Sequence, residues 1–70
     1  MITVDARGLS CPQPALLSKE AISSLDGGTV EVLVDSATSR DNVARVAQRS
    51  GWTVSVEAGT EGGYRLVLEK

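Results

Sequence analysis

In the stretch TVEVLVD (29–35), Val30, Val32 and Val34 alternate with Glu31 and Leu33. A period of two predicts a strand, and the apolar Leu33 on the second face points to a central position or a partly covered outer face. ITVD (2–5) gives a short strand with Ile2 and Val4 on one face, and ARGLS (6–10) a loop in which Gly8 allows a turn. WTVSVE (52–57) and YRLVLE (64–69) alternate likewise, and AGTEGG (58–63) joins them as a hairpin.

Between the strands the period changes. In CPQPALLSKEAISSL (11–25), Leu17, Ala21 and Leu25 lie four apart, flanked by Leu16 and Ile22, which predicts a helix with that apolar stripe. Pro12 suits the first helical position, and Pro14 still lies in the first turn, where no intrahelical N–H is lost. DGG (26–28) is expected to end this helix through glycine. SATSRDNVARVAQRSG (36–51) predicts a second helix. Thr38 or Ser39 is expected to cap it, and Asp41 to favour its positive end. Val43, Val46, Ala47 and Ser50 follow the apolar spacing, with Arg40, Arg45 and Arg49 largely opposite and Gly51 just past the end.

The order β-α-β-α-β-β follows. Two right-handed crossovers put both helices on one face of a four-stranded sheet, a two-layer α/β sandwich. Seventy residues make one domain, 1–70, without linker, internal repeat or low-complexity segment. So short a chain buries only about 60% of its unfolded surface. With no Phe, one Trp and one Tyr, the core is expected to be aliphatic.

Composition removes several function classes. The formal charge of −2 argues against phosphate-driven binding to nucleic acid. Two aromatic residues offer little for base stacking. The absence of histidine excludes histidine general-base catalysis and histidine metal ligation, and one cysteine cannot build a thiolate-rich zinc site. No metal or cofactor is therefore expected. A lone cysteine also forms no internal disulfide, no signal peptide is expected, and no run approaches the about 20 apolar residues of a membrane span. The simplest expectation is a reduced, cytoplasmic setting without a membrane partner, and nothing demands more than a monomer.

Cys11 is the one group with reactive chemistry to offer. A free thiol, of pKa near 8.5, is only roughly 3% thiolate at pH 7. A helix N-terminus stabilises a nearby anion by about 0.3–1 kcal/mol, up to ~2 when partly buried. At 1.36 kcal/mol per pKa unit that is a shift of up to roughly 1.5 units. With Pro12 at the first helical position, Cys11 is the cap residue. Pro14 has no N–H, so the amide of Gln13 is then the local donor, and Cys11 Sγ is expected near it. Ser10 to Gln13 also has capping-box form, which would move Cys11 one place into the helix. A free cysteine in a folded domain is more often a buried small hydrophobe than a nucleophile, and spacing alone favours that reading.

The run VDARGLSCPQPALL (4–17) changes the balance. It carries Asp5, Arg7, Gly8, Leu9, Cys11, Pro12 and Pro14 in the pattern D-x-R-G-L-x-C-P-x-P, and so closely resembles the TusA/SirA/YedF-like family of small sulfur-carrier proteins. The resemblance covers the whole chain; its second half looks especially like YedF-like proteins, which are associated with selenium metabolism. It implies a mixed sheet of order 1-2-4-3 with one strand antiparallel to the rest. It implies that Cys11 accepts sulfur as a persulfide from a donor such as a cysteine desulfurase or rhodanese-like protein. An acceptor protein would then take it toward tRNA thiolation, cofactor synthesis or sulfur metabolism. YedF-like proteins commonly carry a second domain, so the chain is expected to be either a stand-alone member or an excised domain.

The neighbouring residues have bland readings beside functional ones. Asp5 and Arg7 form a loop ion pair, or Arg7 lowers the thiol pKa or steers an anionic partner. Gly8 turns the strand into the helix. Lys19 and Arg40 are solvated charges unless they dock a partner, and Trp52 is core or strand-edge packing. The competing function is a non-catalytic interaction or regulatory module in which the CPxP turn is only a rigid helix start.

Overall fold

In the computed structural model, residues 2–9 and 13–70 are described. Four strands, β1 (Ile2–Asp5), β2 (Thr29–Val34), β3 (Thr53–Ala58) and β4 (Tyr64–Glu69), alternate with helices α1 (Gln13–Ser23) and α2 (Ala37–Arg49) in the expected order. The sheet runs β1-β2-β4-β3. β1 pairs parallel to β2, and β4 runs antiparallel to both β2 and β3, so β4 is the one reversed strand.

The register explains the valine alternation. Val30 faces Leu68, Val32 faces Leu66 and Val34 faces Tyr64. Val30, Val32, Val34, Leu66 and Leu68 have no exposed surface and form the sheet's contribution to the core. Ile22 of α1 and Val43 and Ala47 of α2 close it from the helical layer, and Ala6 and Trp52 complete it. The other face carries Leu33 and a polar row: Arg65 pairs with Glu31 and, at 2.7 Å, with Glu57. Leu33 is half-buried there, opposite Arg65.

Helix α1 sits rotated from its expected stripe. Its buried line is Pro14, Ser18 and Ile22, while Leu17, Ala21 and Leu25 are partly buried beside it. A serine can lie on the buried line because its hydroxyl donates to the Pro14 carbonyl at 2.8 Å. The helix stops at Ser23, two residues early, and the next hydroxyl, Ser24, donates to the Ala21 carbonyl. The left-handed glycine, Gly28, comes too late to cap α1 and instead leads into β2, where it exchanges hydrogen bonds with Lys70.

Helix α2 is capped by Ser36, not by Thr38 or Ser39. Ser36 is the first hydroxyl after β2; it accepts from Ser39 N at 3.1 Å, and its own hydroxyl donates to Ser39 Oγ, which leaves Ser39 buried and satisfied. Asp41 lies past the first turn and pairs with Arg40. The far end matches the glycine expectation. Gly51, at φ +86°, donates to Gln48 O while Trp52 N donates to Ala47 O, the paired bonds of a Schellman motif. Ser50, expected on the apolar line, is the exposed C-cap. Trp52 is buried just ahead of β3. In the β3–β4 connection a short 3-10 turn spans Thr60–Gly62, with Glu61 in the left-handed region at φ 54°.

Candidate functional site

The expected site lies where β1 leaves the sheet. Asp5 faces Leu33 in the last parallel pair, and Ala6 N donates to Leu33 O at 2.8 Å. That buries Ala6 and marks the last sheet-like backbone bond before the chain turns. Two carboxylates then hold two successive amides. Asp5 Oδ1 accepts from Arg7 N at 3.2 Å, and Asp35 Oδ2 accepts from Gly8 N at 2.7 Å. Gly8 has φ +79°, a conformation glycine adopts without strain. Leu9 N closes the turn on Ala6 O at 3.4 Å.

The Arg7 guanidinium is committed to Asp5. Nε and Nη2 donate to the two carboxylate oxygens at 2.9 and 2.8 Å, a bidentate pair. The side-chain hydrogen bond from Arg7 is the main reason the Asp5 carboxyl is held down to about 2. Asp5 in turn raises the Arg7 pKa, and Glu61 and Asp35 add to it through their charge. The ion-pair reading of Asp5 and Arg7 is therefore the one the geometry supports. Arg7 contributes a neutral pair here rather than a free cation.

On the far side of the turn, Gln13 is exposed at the start of α1, and Pro14 is buried in its first turn. Pro14 thus packs in the interior as well as stiffening the turn. Ser10, Cys11 and Pro12 lie outside the described residues, and with them the placement of Sγ near the Gln13 amide, the Ser10 capping box and Pro12 as first helical residue. A cavity of about 320 Å³ opens between this turn and the β3–β4 connection, with Arg7, Leu33, Tyr64 and Arg65 in its lining. Arg40 lies 4.7 Å over the Tyr64 ring, so it has a packing role beyond a solvated charge. Lys19 is exposed on α1. Among the described residues no cluster of His, Cys, Asp or Glu could hold a metal ion, and no helix is long and apolar enough to cross a membrane.

Sequence reasoning missed Asp35. A signal was available: Asp35 directly follows the strongest strand, at the carboxyl end of two parallel strands, where the crossover loops of α/β folds converge.

The β1-β2-β4-β3 sheet under two helices, with the D-x-R-G-L turn at the β1–α1 junction, defines the class: a small α/β sulfur-carrier domain. The chain belongs to the TusA/SirA-like sulfur-carrier family. The family description "Sulfurtransferase TusA" matches residues 2–70. The chain is 35% identical over 71 residues to the "Putative sulfur carrier protein MJ0990" of Methanocaldococcus jannaschii, covering 100% of this chain and 95% of that protein. It is also similar to the crystal structure of a SirA-like protein from Desulfitobacterium hafniense. The TM-score is 0.93 at 35% sequence identity, over 99% of this chain and 96% of the other.

Proposed function

We propose that Cys11 carries sulfane sulfur as a persulfide and relays it from a donor protein to an acceptor. The observation that supports this most is the position of Cys11 in the chain. The only cysteine falls between a turn fixed by two carboxylates and the start of α1, within the family's C-P-x-P pattern. The Cys11 thiolate attacks the terminal sulfur of a donor persulfide. A new S–S bond forms on Cys11, the donor's S–S bond breaks, and the donor leaves as thiolate. In the second half an acceptor thiolate takes the terminal sulfur and Cys11 is regenerated as thiolate. No electrons are gained or lost overall, so no oxidant and no second cysteine is required.

Arg7 is neutralised by Asp5, so in this reading the thiolate draws its stabilisation from the helix start that follows Cys11 in the sequence. Asp5, Arg7 and Gly8 shape the turn, Gln13 and Pro14 begin the helix, and Pro12 supports the site as part of the family's C-P-x-P pattern. The donor is a cysteine desulfurase or rhodanese-like protein. The acceptor is a protein of tRNA thiolation, cofactor synthesis or sulfur or selenium metabolism. The carrier works as a monomer in a reduced cytoplasmic compartment, where a single thiol stays free.

Intact-mass spectrometry after incubation with a cysteine desulfurase and cysteine tests this. The wild type gains about 32 Da, one sulfur, reversible by reductant, and Cys11→Ser gains nothing. A wild type that stays unmodified with both a desulfurase and a rhodanese-like donor, or a Cys11→Ser protein that still loads, contradicts the proposal and favours an interaction module.

A further inference from the structure

We infer that Asp35 is a positioning residue for the Cys11 thiol: its carboxylate pins the Gly8 turn to the end of β2 and so fixes where the segment leading into α1 begins. This rests on Cys11 being the sulfur-carrying group. Past Ala6 the chain has left the ladder, and the 2.7 Å bond from Gly8 N to Asp35 Oδ2 is the last described hydrogen bond between the turn and the β2 end before Cys11, with Leu9 packing on the core beyond it. Asp5 cannot replace it. That carboxylate belongs to the departing strand, and both its oxygens are occupied by Arg7.

Asp35 itself is well anchored. Val34 before it is fully buried, and Ser36 after it is the cap of α2. The carboxylate therefore ties the β1–α1 junction to the β2–α2 junction. A charge-assisted bond of this length is among the stronger hydrogen bonds available to a backbone amide. The charged groups acting on this turn are Arg7, paired with Asp5, and Glu61 from the β3–β4 connection.

The sign of the effect separates positioning from charge. Removing a carboxylate near a thiol favours the thiolate, so a purely electrostatic Asp35 would lower the thiol pKa when lost. Release of the turn predicts the opposite, since the helix-end stabilisation proposed for the thiolate depends on how the segment after Gly8 is held. The test is the pH–rate profile of Cys11 alkylation by iodoacetamide, together with the rate of persulfide loading from a desulfurase. In Asp35→Ala the profile moves up toward the free-thiol value near 8.5, and loading slows roughly tenfold or more. Asp35→Asn, whose carboxamide oxygen still accepts from Gly8 N, stays within about threefold of wild type.

An Asp35→Ala profile that is unchanged or shifted down overturns the inference, as does an Asp35→Asn protein impaired as much as Asp35→Ala. If Asp35→Ala does not fold, Asp35→Glu carries the test, because it keeps the charge but displaces the acceptor by one methylene. Slowed alkylation is expected there, and a wild-type rate refutes the role. Alkylation needs no sulfur donor. A wild type that alkylates normally but never loads sulfur counts against the carrier reading and leaves the test of Asp35 intact.

Discussion

Gly8→Ala isolates the backbone contribution of the turn. At φ +79° an alanine must adopt the left-handed conformation, yet among the described residues a Cβ built there meets nothing within 4 Å. The described residues add no steric clash, and the cost is conformational: about 1–2 kcal/mol for an L-residue in that region. Alanine also restricts the unfolded chain relative to glycine, which returns about 0.4–1 kcal/mol. The net loss is about 1 kcal/mol, equivalent to a Tm lower by about 4–8 °C in a domain of this size. Urea and thermal unfolding followed by circular dichroism read it. Gly51→Ala, at φ +86° with equally open surroundings, is the matched control and loses a similar amount. Gly59→Ala makes the contrast. Its Cβ would come within 3.1 Å of Tyr64 N and 3.2 Å of the Gly63 carbonyl carbon, both backbone atoms, so steric crowding adds to its cost. A Gly8→Ala protein as stable as wild type, or one that loses more than about 3 kcal/mol, refutes the reasoning about this turn.

Ser36→Ala removes the cap of α2 and leaves Ser39 N without its acceptor; denaturant titration should show a loss of about 1 kcal/mol, whereas Thr38→Ala costs little. Leu66→Ala opens the centre of the sheet between Val32 and Val56 and should cost about 2–5 kcal/mol, read from the urea midpoint. Asp5 should titrate near pH 2 by NMR and return toward its ordinary 3.8 in Arg7→Gln. Because its folded-state pKa is depressed, the pair's stabilisation is fully present above about pH 4 and is lost as pH falls toward 2. The opposite slope would contradict the assignment.

The strands were legible because their apolar residues repeat at the pleat's own period; in β2 that face is fully buried, so Val30, Val32 and Val34 could only face the helices, while at the sheet edges Ile2 and Val56 stay exposed. β4 was read to the residue, since Gly63 ahead of it and the alternation inside it agree. Helix α1 was harder. Its buried line runs through Pro14 and Ser18, and a serine satisfied by its own helix carries no hydrophobic signal. The cap of α2 was missed because hydroxyl residues crowd positions 36–39, and which one caps depends on where β2 releases the chain. At the site, the D-x-R-G-L motif anticipated the Asp5–Arg7 pair and the Gly8 turn, because these interactions are local in sequence. Asp35 lies 27 residues from Gly8 and meets it only through the parallel pairing of β1 with β2, which no local pattern encodes.

The most direct measurement of the central claim follows one sulfur through a complete cycle. Protein loaded with ³⁴S-labelled persulfide is digested without reductant, the labelled peptide is located by tandem mass spectrometry, and a second portion is mixed with an acceptor thiol. Sulfur carriage predicts the label on the peptide containing Cys11. It also predicts return of the intact protein to its unloaded mass as the label appears on the acceptor. Label that never reaches Cys11, or that reaches it and cannot be passed on, contradicts the account.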